Sequence, residues 1–70
     1  MNFFKKDKSP ALIVLYKNKK EEVQYVVEDA DHAYDKAVDH LQLYGFKGWK
    51  CVTPDLILNM SEIESIRKRK

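Results

Sequence analysis

The apolar positions of this chain change period several times, and each change marks an element. Ala11-Leu12-Ile13-Val14-Leu15-Tyr16 is continuously apolar and rich in β-branched residues, the pattern of a strand covered on both faces. Pro10 admits it, and Lys17 to Glu21 make a polar turn after it. Val23, Tyr25 and Val27 then alternate with Gln24, Val26 and Glu28, which predicts a second strand that closes an antiparallel hairpin with the first.

The period next lengthens. Ala30, Ala33, Tyr34, Ala37, Val38, Leu41 and Tyr44 recur at helical steps and form one apolar stripe. Asp29 or Asp31 can cap the start, since a carboxylate accepts a free first-turn amide hydrogen and suits the positive end of the helix dipole. Gly45 supplies the stop, because a residue without Cβ adopts the left-handed cap conformation, with Phe46 folding back toward Leu41.

Trp49 to Thr53 follows as a strand or an extended entry, Pro54-Asp55 as a break, and Leu56 to Met60 as a strand apolar on both sides. Ser61 with Glu64 fits a capping box, whereas Ile63, Ser65 and Arg67 alternate around Ile66 as an edge strand does, and the strand is favoured. The expected fold class is α+β: an antiparallel hairpin, one amphipathic helix, then one or two further strands. Residues 1–9 are expected to be a loose basic arm, 10–66 one domain, and 67–70 a solvated basic tail.

Length sharpens this picture. The chain has 70 residues, and a domain of that size buries only about 60% of its unfolded surface, so it gains from a staple or a partner. Cys51 is the single cysteine, which excludes an internal disulfide. Strands apolar on both sides need cover beyond one helix, and each large aliphatic left wet forgoes roughly 1.5–3 kcal/mol. A homodimer is therefore expected, with Ile13, Leu15, Val26, Ile57 and Leu43 as candidate interface residues. Phe3 and Phe4 are further candidates for a partner surface.

The net charge of +2 is too balanced to name a partner by itself. No apolar run is long enough to span a bilayer and the opening residues lack the apolar core of a secretion signal, so a cytoplasmic location without membrane association is expected. His32, Lys36 and His40 share a helix face beside Asp31, Asp35 and Asp39, but adjacent residues on one stripe diverge into water. A solvated face is expected there, with no metal and no cofactor. Cys51 lacks a neighbouring histidine motif and is expected to be a buried, inert thiol. No phosphate-cradling glycine loop, serine elbow or paired-carboxylate constellation occurs, so enzyme chemistry is not expected.

Basic and aromatic residues interleave around Lys47, Trp49 and Lys50. With Lys17, Lys19, Lys20 and the tail Arg67, Lys68, Arg69 and Lys70, they make a candidate nucleic-acid surface in which rings stack on bases and cations neutralise phosphates.

In size, element order and the segment Ala33 to Gly45, the chain resembles the small YopT-like hypothetical proteins of Bacillus prophages. That resemblance implies a homodimer whose protomer has one helix and three strands, with no assigned activity. The leading expectation is a non-enzymatic, prophage-type accessory protein that dimerises and binds another protein. The alternative is a small nucleic-acid-binding module.

Overall fold

The computed structural model describes residues 9–69. Phe3, Phe4, nearly all of the expected arm and Lys70 lie outside the described residues. Within them the fold is α+β: β1 (Ala11–Tyr16), β2 (Val23–Val26), α1 (Ala30–Tyr44), β3 (Trp49–Thr53), β4 (Leu56–Asn59) and β5 (Ile63–Arg69). A single 3-10 turn, Met60–Glu62, leads into β5.

The strands form two antiparallel sheets. One has the order β2-β1-β5, and the other is the β3-β4 hairpin. The continuous apolar run is thus the central strand of the larger sheet, and Ala11 to Val14 are all at most 3% exposed. Alternation sends Leu12 and Val14 toward the helix side, where they join Ala30, Ala33, Ala37, Val52, Leu58, Met60 and Ile63 in one core. Val52 and Leu58 bring the inner face of the second sheet into that same core.

The helix ends where its caps place it. Asp29 accepts a hydrogen bond from the His32 amide at 3.0 Å. Gly45 takes φ +75° and donates its own amide hydrogen to the Leu41 carbonyl at 2.8 Å. The buried stripe is Ala30, Ala33, Ala37 and His40, with Tyr34 and Leu41 packed at its margin. Tyr44 and Phe46, at the helix end and past it, are 62% and 42% exposed.

The structure corrects the sequence expectations at the chain's end. Asn59, and not Ser61, caps the short turn by accepting from the Ser61 amide at 3.2 Å. After the turn, β5 runs through Arg67, Lys68 and Arg69, which pair with Ile13, Leu12 and Ala11. The segment expected to be a solvated tail is therefore a sheet edge. It tolerates three cations because each meets a polar partner: Glu22 for Arg67, Asp31 for Lys68, and Gln24 with the Ser9 carbonyl for Arg69. Five strands stand where the resemblance implies three.

Candidate binding surfaces

Cross-strand register decides which side chains share a surface. On the sheet face opposite the helix, Ile13 lies between Gln24 and Arg67, its partners in β2 and β5. The Arg67 guanidinium forms a two-pronged ion pair with Glu22 at 2.8 and 3.0 Å, and Arg69 donates to the Gln24 side chain at 2.9 Å. Long side chains fixed in this way lay their aliphatic stems along the sheet. Ile13 is only 3% exposed within one chain, so it leaves the set of candidate interface residues. Leu15 is half-buried.

The other expected interface residues are wet but scattered. Val26 is 60% exposed on β2, Ile57 60% on the outer face of β4, and Leu43 74% near the end of α1. Val26 borders a groove of about 680 Å³ that runs between β2 and the β3-β4 turn, with His32 and Lys36 of the helix along its side. No local pattern marks this groove, because its two walls, β2 and the β3-β4 turn, are far apart in the chain.

The main chain of β2 has an open edge. Val27 donates to the Pro10 carbonyl at 3.0 Å, so residues 27, 25 and 23 turn their amide and carbonyl groups toward β1. Strict alternation then directs the groups of Gln24 and Val26 away from the sheet. Tyr25 and Tyr16 meet through their hydroxyls at 2.6 Å on the inner side. Burial, and then the bond to Tyr25, pushes the Tyr16 hydroxyl well above the ordinary tyrosine range.

A second surface lies at the other end of the helix. His40 is buried, and its Nε2 bonds to the Lys47 carbonyl at 2.6 Å while its ring rests 4.9 Å from that of Tyr44. The loop after α1 folds back over this residue, so His40 is not part of a solvated face. At the start of the helix, Asp31 is taken by Lys68 at 2.6 Å, and that ammonium also lies 5.1 Å from the centre of the Tyr34 ring. Bonding to Asp31 raises the Lys68 pKa and keeps the ammonium charged. No cluster of three or more metal-type ligands occurs among the described residues.

Folding the loop over His40 presents Trp49. It starts β3 at 67% exposure and separates two depressions. One, of about 680 Å³, is lined by Leu43, Tyr44, Lys47 and Lys50 among others. The other, of about 320 Å³, is lined by Tyr16, Asn18, Lys19, Ile57, Asn59 and Glu62. The structure thus brings Lys47, Trp49 and Lys50 together with Lys19 of the β1-β2 turn, and that turn also carries Lys17 and Lys20. It does not bring Arg67, Lys68 and Arg69 there, since their side chains are held at β2 and at the start of α1.

Cys51 also faces outward. Val52 takes the inward position of β3, which leaves the thiol exposed and bonded to the Thr53 carbonyl at 2.9 Å, not buried as expected. No described helix is long and apolar enough to cross a membrane. Compared with known proteins, the chain matches no family, no characterised protein and no solved structure.

Proposed function

We propose that this is a non-enzymatic accessory protein that acts as a cytoplasmic homodimer and binds another protein, a role of the kind that small prophage proteins fill. The observation that carries the dimer is the open edge of β2. Gln24 and Val26 offer main-chain donors and acceptors to an incoming strand, and an unpaired edge of this kind is a template for another chain.

A second copy is the fitting occupant. Antiparallel pairing of β2 about a twofold axis at Gln24 sets Val26 opposite Glu22 of the partner subunit and Glu28 opposite the partner's Lys20. The charges at the two ends of the strand are then complementary, and the three-stranded sheet becomes one sheet of six. Val26, exposed in one chain, is covered in two. The larger sheet made in this way is the platform that the protein partner would meet.

The test is light scattering on the intact chain and on Val26→Pro. Proline removes the outward amide hydrogen of residue 26 and leaves the β1 ladder in place, since edge strands accept proline at such positions. The expected masses are twice 8.3 kDa for the native chain and 8.3 kDa for the variant. A native monomer at tens of micromolar, or a dimer that survives the substitution, would overturn the proposal.

A further inference from the structure

We infer that the Trp49 face binds single-stranded nucleic acid, with a base lying on the indole and the adjoining phosphates reaching Lys19 on one side and Lys47 and Lys50 on the other. The inference is independent of the dimer, because it uses the opposite end of the helix from the β2 groove.

Three observations carry it. First, Trp49 is a ridge with a depression on each side, and the residue is 67% exposed. A flat π surface so placed is a stacking platform, and stacking tolerates any base because every base has a face. Tyr44, 62% exposed beyond the first depression, offers a second ring to the next base.

Second, lysines flank the ridge on both sides. Among the described residues, no ion pair engages Lys19, Lys47 or Lys50, whereas Arg67 and Lys68 are each held by a carboxylate. Glu62 is the one acidic side chain lining either depression. The cations at the ridge are therefore available to phosphates, and those of β5 are not. Third, the composition favours nucleic acid over protein. Centres of protein interfaces are depleted in lysine, yet here lysines stand beside the exposed ring in both depressions. A ridge one residue wide reaches the face of a base only where that base is unstacked, which selects a single strand over a duplex.

The test is titration of the intact chain into labelled oligo-dT and oligo-U of about 12 nucleotides and into a duplex of equal length, followed by anisotropy. Trp49 is the single tryptophan, so its fluorescence reports contact at the ridge. Expected at low salt is binding of either single strand with a dissociation constant of roughly 10⁻⁴ to 10⁻⁶ M, accompanied by quenching of Trp49. Three phosphate contacts give a slope of log affinity against log salt of about −2. Trp49→Ala weakens binding about 5- to 150-fold, while Trp49→Phe restores most of it. Lys19→Gln flattens the salt slope by about 0.7, and Lys36→Gln, beside the other groove, changes neither quantity. The dT and U strands differ in both the ribose hydroxyl and the thymine methyl, and a preference between them in either direction supports the inference. Absence of binding to both strands, tighter binding to the duplex, undiminished affinity in Trp49→Ala with its circular dichroism intact, or a protein that occupies this face after nuclease treatment would overturn it.

Discussion

His40, one turn before the end of α1, donates through Nε2 to the main-chain carbonyl of Lys47 at 2.6 Å. The carbonyl can only accept, so the proton sits on Nε2. This bond holds the loop over the helix end and fixes the position from which β3 presents Trp49. Gly48 follows directly with φ +73°, a backbone conformation that a side chain resists.

His40→Ala is expected to lower stability by about 1 kcal/mol, which for a domain of this size shifts the melting temperature by about 4–8 °C. Thermal melting read by circular dichroism and by Trp49 fluorescence checks it. The fluorescence should respond at least as strongly as the ellipticity, because the loop that carries the ring is what loosens. An unchanged melt would show that the bond is not what holds the loop.

Acid should weaken the strap across the outer sheet face. The Arg67 guanidinium bonded to Glu22 holds that carboxyl below its usual range. A depressed folded pKa contributes stability that is present above the unfolded value of about 4.3 and is lost as pH falls through the folded value. Glu22→Gln should therefore have a flatter stability profile below about pH 4.3 than the native chain, as measured by urea midpoints across the acid range. Parallel profiles for the two proteins would contradict this.

Alkali acts on the inner side. Tyr16 is held neutral by burial and by its bond to Tyr25, so its folded pKa is raised. Such a group contributes stability that is complete below the unfolded value of about 10 and is lost as pH rises through the folded value. In a spectrophotometric titration of the four tyrosines, one should ionise late, together with unfolding. Tyr16→Phe should remove that late step and cost about 1 kcal/mol at neutral pH.

Much of the fold was legible because it is written in local periods. Alternation marked β2, the helical stripe marked α1, and Asp29 and Gly45 marked its ends. That β1 is covered on both faces followed from its unbroken apolar run. What was hidden depends on contacts far apart in sequence. Arg67, Lys68 and Arg69 read as a solvated tail until Glu22, Asp31 and Gln24 are seen across the fold. Ile13 read as an interface residue until its register between Gln24 and Arg67 is known. His40 read as solvated because the bond that closes the loop over it goes to a main-chain carbonyl, that of Lys47, which no side-chain pattern announces. The aromatic and basic interleaving at Lys47, Trp49 and Lys50 was visible, but the arrival of Lys19 on the far side of the ring was not.

The measurement that bears most directly on the dimer is amide hydrogen exchange at Gln24 and Val26, followed by nuclear magnetic resonance over a range of protein concentrations. Their outward amides have no partner strand in one protomer and gain one when β2 pairs with its copy. Protection at both residues that rises with concentration, while the β1 amides stay protected throughout, is the expected result. Rapid exchange at Gln24 and Val26 at every concentration would contradict pairing through β2.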